Sequence, residues 1–262
     1  MGPLLPGSDH IRLVRPVTAS AAGGSVVPLP GVRAGVFLLP SSPAVLIDCG
    51  MRGQGRRVLS AVAAAGVAPS DIALIALTHW HIDHVGALSS IRGRTGAEVA
   101  AHRADAPIIA GLVPPTKPEL RGESGKFARW MLLKLYRPSN VDRIVEDGDE
   151  LPHGLRVVAT PGHTPGHVCY YLEESGIVFV GDALFHRDAR LQLPPGGFSH
   201  DSGLARRSLA ALRSLRFDQC YFGHGEPMLD RADMIVHDFL DRLLDSEEDA
   251  PAPDGVSLRG SS

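Results

Sequence analysis

Three histidines and one aspartate stand close together in the run Thr78–His84, which reads Thr-His-Trp-His-Ile-Asp-His. Imidazole nitrogen combined with carboxylate oxygen is a ligand set that favours Zn²⁺, with iron or manganese as alternatives. Two imidazoles two positions apart can reach one cation from a single loop, and the Asp-His pair that follows can face a second cation. The run therefore predicts a metal site, with these candidate ligands: His79, His81, Asp83 and His84.

Three other short motifs place further histidine or aspartate residues directly after apolar segments. They are Thr-Pro-Gly-His-Thr-Pro-Gly-His at 160–167, Gly-Asp at 181–182 and Gly-His-Gly at 223–225. Each motif contains glycine, which permits tight turns and a close approach of the backbone. Loops at strand ends commonly display functional groups from a rigid scaffold. The candidate residues in these loops are His163, Asp182 and His224.

The segments that must position these residues are short, rich in β-branched residues and bounded by Gly, Pro or Asp, as is typical of strands. The predicted strands are Ile11–Val14, Val32–Leu39, Ala44–Asp48, Ile72–Thr78, Glu98–His102, Leu155–Thr160, Val168–Leu172, Ile177–Gly181 and Gln219–Phe222. The predicted helices are Arg56–Ala65, His84–Thr95, Leu204–Leu215 and Arg231–Leu244. Hairpins precede a mixture of strands and helices, which favours an α/β protein with two sheets and helices outside them.

Two segments differ from this pattern. Residues 103–142 contain a proline-rich stretch and then the apolar segment Phe127–Tyr136, which we interpret as a helical insert or lid, with core packing or a dimer contact as the alternative. Residues 246–262 are acidic and then rich in Pro, Gly and Ser, which predicts a disordered tail. The chain is therefore predicted to form one domain over residues 1–245.

Taken together, the four motifs resemble the metallo-β-lactamase superfamily, and within it the small glyoxalase II-like hydrolases. The resemblance covers roughly residues 30–230 and implies a four-layer αββα sandwich with the metals at one edge between the sheets. It implies one metal held by His79, His81 and His163, and a second held by Asp83, His84 and His224. Asp182 is implied as the ligand that bridges both metals.

Two further residues are candidates for supporting these ligands. Asp48, in Leu-Ile-Asp-Cys-Gly, also matches the pattern of the family. A carboxylate beside a ligand imidazole accepts its free N–H and fixes the tautomer and orientation of the ring. The alternative for Asp48 is an aspartate of a strand-end turn. His167 is a second candidate for such a supporting role, with a purely structural histidine as its alternative.

The resemblance implies a hydrolase with two divalent metal ions, for which we expect zinc, or else iron or manganese. Two adjacent cations lower the pKa of a bridging water, and the resulting hydroxide would attack the carbonyl carbon of a thioester, lactone or ester. Asp83 and Asp182 would orient this nucleophile and accept its proton. The alternative function is a mononuclear non-haem iron oxidoreductase of the persulfide dioxygenase type. Such proteins use mainly the ligands of the first metal, which here are His79, His81 and His163. A protein with a purely structural metal is disfavoured, because structural zinc sites are normally closed by four ligands.

Composition narrows the class of protein. The chain has 262 residues and a formal net charge of −3, without the basic surface expected of a nucleic-acid-binding protein. Cys49, Cys169 and Cys220 form no CxxC motif and are predicted to be reduced core residues. We find no signal-peptide pattern and no apolar run of about 18 residues. We therefore expect a cytoplasmic enzyme with a small-molecule substrate and no stable membrane insertion, with a homodimer as an open option.

Overall fold

The computed structural model of the chain describes residues 26–29, 34–114 and 137–248. The first sheet contains, in spatial order, β1 (Val27–Pro28), β2 (Phe37–Leu39), β3 (Ala44–Ile47), β4 (Ile72–Ala76), β5 (Glu98–His102) and β6 (Arg143–Val145). Strands β1 to β3 pair antiparallel, and β3 to β6 pair parallel. Parallel strands need crossover connections. The connections carry α1 (Gly55–Ala64), α2 (Ile82–Val85), α3 (Leu88–Thr95) and α4 (Ala106–Ile109).

The second sheet has five strands within the described ranges. Their chain order is β7 (Glu150–Leu151), β8 (Leu155–Ala159), β9 (Val168–Leu172), β10 (Ile177–Gly181) and β13 (Gln219–Phe222). In the sheet β9 lies between β8 and β10 and is antiparallel to both, whereas β13 pairs parallel with β10. Strands β8, β10 and β13 therefore run in the same direction, and their carboxyl ends meet at one edge of the sheet.

The remaining elements follow the second sheet. A hairpin of β11 (Phe185–Arg187) and β12 (Arg190–Gln192) comes after β10. It is followed by α5 (Ser202–Ser208), a 3₁₀ helix over Leu209–Ser214 and the long helix α6 (Ala232–Glu248).

Three apolar clusters hold these elements together. The cluster between the sheets joins Phe37, Ile47 and Leu74 of the first sheet to Tyr170, Phe179 and Tyr221 of the second. The other two clusters lie on the outer faces of the sheets, where α1 and α3 cover the first sheet and the 3₁₀ helix and α6 cover the second. Both sheets are therefore covered on both faces, and the predicted four-layer αββα sandwich is confirmed.

Two of the predicted strands are not found in the structure as predicted: one is shorter, and the other lies outside the described residues. Of the run Val32–Leu39, the structure describes residues 34–39, and within this part the strand is Phe37–Leu39 and is shorter than predicted. The Gly35 N–H instead donates a hydrogen bond to the carbonyl oxygen of Gly223 at 2.6 Å, so this part of the chain contacts the Gly-His-Gly loop. The predicted strand Ile11–Val14 lies outside the described residues.

The prediction of one continuous helix over His84–Thr95 was wrong, because the structure has two short helices there, α2 and α3. Backbone contacts with another loop explain the break. The Cys49 N–H donates to the carbonyl oxygen of His84 at 2.7 Å, and the Ala87 N–H donates to that of Gly50 at 3.0 Å. A Cβ at Gly86 would lie 2.4 Å from the backbone nitrogen of Arg52, so this loop packs tightly against the junction of the two helices.

The predicted end of the domain, at residue 245, falls inside the helix α6. Helix α6 continues to Glu248, three residues beyond the boundary predicted at 245, and the rest of the predicted tail lies outside the described residues. The apolar segment Phe127–Tyr136 of the predicted insert also lies outside them. The three cysteines are buried and form no disulfide, as predicted. Among the residues described, no helix has the length and hydropathy needed to cross a membrane.

Candidate metal centre

All seven predicted ligands lie at one edge of the sandwich, five of them on loops and two, Asp83 and His84, in the short helix α2. His79, His81, Asp83 and His84 follow β4 of the first sheet, His163 follows β8, Asp182 follows β10 and His224 follows β13. Two hydrogen bonds hold the two sheets together at this edge. The Val168 N–H donates to the carbonyl oxygen of Thr78 at 2.9 Å, and the Tyr170 hydroxyl donates to that of Leu77 at 2.8 Å. The loops from both sheets therefore meet at one place.

The donor atoms of these residues form three overlapping groups, and within each group they lie within 4.8 Å of one another. The first set is His79, His81 and His163. The second set is Asp83, His84 and His224. A third group contains His79, His84 and Asp182 and links the two sets. The first two groups contain the same residues as the two ligand sets that the family resemblance implies, and Asp182 belongs to the third group.

The carboxylate of Asp182 lies between the two sets. Its Oδ2 atom is 3.5 Å from Nε2 of His163 in the first set and 3.4 Å from Nε2 of His224 in the second set. Its Oδ1 atom is 3.2 Å from Nε2 of His84. One carboxylate thus faces the ligands of both candidate cations.

Several donor atoms at this centre are buried without a hydrogen-bond partner. These atoms are Nε2 of His79, Nε2 of His84 and Oδ1 of Asp182. An unsatisfied buried polar group costs about 1–3 kcal/mol. Nε2 of His84 and Oδ1 of Asp182 lie 3.2 Å apart and can pair with each other only when the ring is protonated, whereas Nε2 of His79 has no hydrogen-bond partner. A divalent cation would accept their lone pairs, and a set of imidazoles with carboxylates suits zinc. The residues present therefore fit bound metal ions.

Close packing of the loops requires a glycine at position 223. A Cβ atom there would lie 2.1 Å from Oδ1 of Asp182 and 2.9 Å from Cε1 of His84. The Gly-His-Gly motif thus brings His224 to the centre while leaving room for the carboxylate and imidazole beside it.

Asp48 is buried behind the second set, where sequence analysis predicted a supporting carboxylate. Its Oδ2 atom lies 2.7 Å from Nδ1 of His84 and accepts a hydrogen bond from the hydroxyl of Thr78 at 2.7 Å. Its Oδ1 atom accepts from the Thr78 N–H at 2.8 Å. In the neutral form, an imidazole whose Nδ1–H is held by a carboxylate has its Nε2 lone pair free, and in His84 that atom faces the centre.

His167 lies behind Asp182 rather than among the donor groups. Its Nε2 atom accepts a hydrogen bond from the Asp182 N–H at 3.1 Å. Its Nδ1 atom is 2.8 Å from the hydroxyl oxygen of Thr160. Because Nε2 is the acceptor, Nδ1 carries the proton of the neutral ring and donates to Thr160. These contacts connect the histidine to the backbone of the residue between the two sets.

Sequence analysis missed two polar residues that contact the site. The hydroxyl of Ser199 lies 3.2 Å from Nδ1 of His163. Asp105 is buried, and its carboxylate accepts hydrogen bonds from both loops that carry the first set. The signal available for Asp105 was its position three residues after the strand β5, which resembles the placement of the other site residues.

The pKa values of the histidines in the first set are lowered. Burial is the main cause, and it brings the pKa of His81 to about 4 and that of His163 to about 3. The pKa of His79 is lowered well below its ordinary value by burial and by the neighbouring histidines. These three rings are neutral near pH 7, which is the state that binds a metal ion.

The histidines of the second set are shifted in the opposite direction. Burial lowers the pKa of His224, but hydrogen bonds with Asp182 and Asp83 outweigh burial and raise it to about 9. The pKa of His84 is also raised, because Asp182 and Asp48 outweigh burial. Burial raises the pKa of Asp83, yet the hydrogen bond with His224 and the charge of His84 lower it to about 2 overall.

The ligands differ in their access to solvent, since Asp83 and His224 of the second set and His81 of the first are partly exposed, whereas His79, His84 and His163 are buried. The side chains of Asp83 and His224 are 29% and 16% exposed, whereas that of His163 is 2% exposed. The ring of Phe185 packs against His224 with 4.8 Å between the ring centroids. A substrate can therefore approach from the side of the second set.

The histidines that sequence analysis kept apart from the ligands lie outside the donor groups. His186 packs against Phe222, and its Nδ1 atom is 2.7 Å from the carbonyl oxygen of Glu226. His153 contacts the carbonyl oxygen of Pro43 at 2.6 Å through Nε2. The remaining three of this kind are His102, His200 and His237.

Fold and site together define an αββα sandwich protein with a His/Asp centre at one edge between its sheets. Residues 32–224 match the family described as the metallo-β-lactamase superfamily. The chain is 30% identical over 210 residues to a probable metallo-hydrolase, YflN, of Bacillus subtilis (strain 168), with 72% of this chain and 79% of that protein covered. It is 37% identical over 111 residues to a hydroxyacylglutathione hydrolase of Maricaulis maris (strain MCS10), covering 41% of this chain and 32% of that protein.

Solved structures show the same fold. BJP-1, a subclass B3 metallo-β-lactamase of Bradyrhizobium japonicum, is 21% identical with a TM-score of 0.63, over 87% of this chain and 91% of that one. The metallo-β-lactamase family protein TTHA1429 of Thermus thermophilus is 25% identical with a TM-score of 0.60, over 85% and 79% of the two chains. The chain belongs to the metallo-β-lactamase superfamily, and the prediction made from its four motifs is confirmed.

Proposed function

We propose that the chain is a dinuclear metallo-hydrolase that cleaves the carbonyl ester-type bond of a small molecule, namely a thioester, lactone or ester. The observation that carries the proposal is the position of Asp182, whose carboxylate faces a three-residue donor set on each side. A protein that used one metal would need only one of these sets.

We assign each residue a role in holding two divalent cations. The first set, His79, His81 and His163, would hold one cation, and the second set, Asp83, His84 and His224, would hold the other. Asp182 would bridge them, while Asp48 and His167 would orient His84 and Asp182. Zinc fits this mixture of imidazole and carboxylate best, with iron and manganese as alternatives. Two such cations supply Lewis-acid chemistry, lowering the pKa of water and polarising a carbonyl group.

Asp83 and Asp182 are the residues that we propose act on the nucleophile. The pKa of Asp83 is about 2, after burial, which raises it, is outweighed by His224 and His84, so its carboxylate is ionised at neutral pH. An ionised carboxylate accepts a hydrogen bond from an attacking water molecule and thereby orients it. Asp83 is also partly exposed, on the side from which a substrate can approach.

The type of substrate follows from the leaving group. A thiolate or an alkoxide leaves a tetrahedral centre without a strong general acid, whereas an amine needs one. The similarity to hydroxyacylglutathione hydrolases supports an acyl substrate. Since this chain aligns with 32% of the length of one such relative, the identity of the acyl group is not carried over.

The proposal is tested by assaying the zinc-loaded protein against a panel of thioesters, lactones, esters and β-lactams. We expect hydrolysis of at least one acyl class and a loss of roughly 1,000-fold, which is about 4 kcal/mol, in the variant Asp182→Asn. The matched control is Asp238→Asn, which removes a carboxylate that pairs with Arg242 on the surface of α6. This control should keep the activity of the wild type.

Two results would count against the proposal. Metal-free protein that hydrolyses these substrates as fast as the zinc-loaded form would contradict it. A protein that is inert toward the whole panel, but consumes oxygen with a persulfide when loaded with one iron, would instead favour the persulfide dioxygenase alternative.

A further inference from the structure

Asp105 is a buried carboxylate that contacts two separate loops of the metal centre. Its side chain lies outside all three donor groups, and the residue is 1% exposed. The Oδ2 atom accepts hydrogen bonds from the Trp80 N–H at 3.0 Å and from the Thr164 hydroxyl at 2.6 Å. The Oδ1 atom accepts from the Gly166 N–H at 2.7 Å.

The three donors come from the two loops that carry the first set. Trp80 lies between His79 and His81 in the chain, and Thr164 directly follows His163. The carboxylate of Asp105 therefore connects the backbone between His79 and His81 to the loop that carries His163.

Asp105 itself belongs to neither loop and is fixed by its own backbone. Its N–H donates to the carbonyl oxygen of His102 at 3.0 Å, and its carbonyl oxygen accepts from the N–H groups of Ile108 and Ile109 at 3.0 Å. It thus lies between β5 and α4, on a third segment of the chain. A carboxylate held this way offers the two loops a fixed point of attachment.

We propose that Asp105 is a positioning residue that holds the three ligands of the first set at the separation that a metal ion requires. This inference rests on the proposed function, because it assumes that the first set binds a cation. The loops are already joined at their strand ends by the hydrogen bond from the Val168 N–H to the Thr78 carbonyl oxygen. Asp105 adds a second attachment, and two attachments fix the orientation of the loops as well as their distance.

The position of Gly166 gives independent support. A Cβ atom at this residue would lie 2.7 Å from Oδ1 and 2.7 Å from the backbone nitrogen of Asp105. Only a glycine lets the second half of the Thr-Pro-Gly-His repeat approach the carboxylate this closely. The packing of this loop is therefore built around Asp105.

The effect of Asp105 should be selective for one set of ligands. In the second set, the Nδ1 atom of His84 is held by Asp48, Asp83 lies in the helix α2 beyond Trp80, and the loop of His224 receives none of the three hydrogen bonds to Asp105. A merely structural carboxylate would change the stability of the whole protein instead, without distinguishing between the two cations.

The variant Asp105→Asn tests this inference, because both carboxylate oxygens accept hydrogen bonds. In either orientation the amide places an NH₂ group against a donor. Affinity for Co²⁺ is measured by chelator competition in two backgrounds, His224→Ala, which leaves the first set, and His163→Ala, which leaves the second. We expect Asp105→Asn to weaken binding by about 10-fold to 100-fold in the first background. In the second background, and in the visible absorption spectrum of its Co²⁺ form, we expect no change.

The matched control is Asp142→Asn. The carboxylate of Asp142 accepts hydrogen bonds from the Val99 N–H and from Arg92, but from neither ligand loop. Its substitution should leave both affinities unchanged. Should Asp105→Asn fail to fold, Thr164→Val removes one donor and leaves the carboxylate, and we expect weaker binding in the His224→Ala background alone.

Equal affinities for Asp105→Asn and the parent protein in the His224→Ala background would overturn the inference. A lower thermal stability with unchanged metal affinity would overturn it as well. The outcome is separable from that of the proposed function. If the unmodified chain binds a single cation at the first set, the dinuclear function fails, while loss of that cation's affinity in Asp105→Asn still supports the role of Asp105.

Discussion

At the level of single residues, the metal centre contains buried donor atoms that have no hydrogen-bond partner outside the centre. The atoms Nε2 of His79, Nε2 of His84 and Oδ1 of Asp182 are buried and form no hydrogen bond. The ligand types were predictable from sequence, because few other roles explain His, His, Asp and His within six positions of the chain. The roles of Asp105 and Ser199 were not predictable, because their contacts join segments far apart in the chain. The position of Asp105 after β5 does not by itself indicate which loops its carboxylate contacts.

Substitution of Gly223 by alanine tests the packing of the centre. The added Cβ would lie 2.1 Å from Oδ1 of Asp182, so either the carboxylate or the loop must move. We expect Gly223→Ala to lose at least one bound metal ion per chain and most of the hydrolytic activity, measured by elemental analysis and by the acyl-substrate assay. Gly93→Ala is the control, because no atom lies within 4 Å of a Cβ at this position of α3. It should keep both metals and gain up to about 1 kcal/mol in the free energy of unfolding.

The opposite pKa shifts of the two sets predict different pH dependences of metal binding. Burial lowers the pKa of His224, but Asp182 and Asp83 outweigh burial and raise it to about 9, so its ring is protonated at pH 7. A cation entering the second set must displace that proton. The apparent affinity of this set should therefore rise with pH until about pH 9.

The metal affinity of the first set should depend much less on pH. Burial lowers the pKa of His81 to about 4 and that of His163 to about 3, so both rings are already neutral at pH 6. We expect metal affinity in the His224→Ala background to change little between pH 6 and 9. Calorimetric titrations in buffers of different ionisation enthalpy measure the protons released. Equal proton release by both sets would contradict this account.

At the scale of elements, the site forms because strands of both sheets end at the same edge. The alternation of β8, β9 and β10 makes β8 and β10 run in the same direction, and β13 pairs parallel with β10. The sequence predicted most of these strands, since apolar runs end at Gly, Pro or Asp. It did not predict the break between α2 and α3, because the cause is a backbone contact with the loop after β3.

The layer between the sheets should contribute most to the stability of the scaffold. Phe179 lies there with its ring 5.3 Å from Tyr221 and 5.4 Å from Phe37. We expect Phe179→Ala to lower the free energy of unfolding by about 3–5 kcal/mol, measured by denaturant titration. Phe198→Ala is the control, since Phe198 is 57% exposed and its loss should cost less than about 1 kcal/mol. A similar cost for both would show that the inter-sheet layer is not the main core.

At the level of the whole molecule, we expect bound metal to stabilise the fold without being required for folding. Three apolar clusters hold the described part of the chain without any contribution from a cation. We therefore expect the protein treated with a chelator to stay folded, with its circular dichroism retained. Addition of Zn²⁺ should raise the melting temperature, because a ligand that binds only the native state stabilises it by mass action. Complete unfolding on chelation would contradict this expectation.

The most direct test of the central claim is the number of cations that each chain binds, measured by titrating the metal-free protein with Zn²⁺ or Co²⁺. We predict two equivalents in the wild type, one in His163→Ala and one in His224→Ala, with Asp182→Asn weakening both because its carboxylate faces both sets. A wild type that binds a single equivalent, lost in His163→Ala and unaffected in His224→Ala, would show a mononuclear centre and overturn the dinuclear proposal.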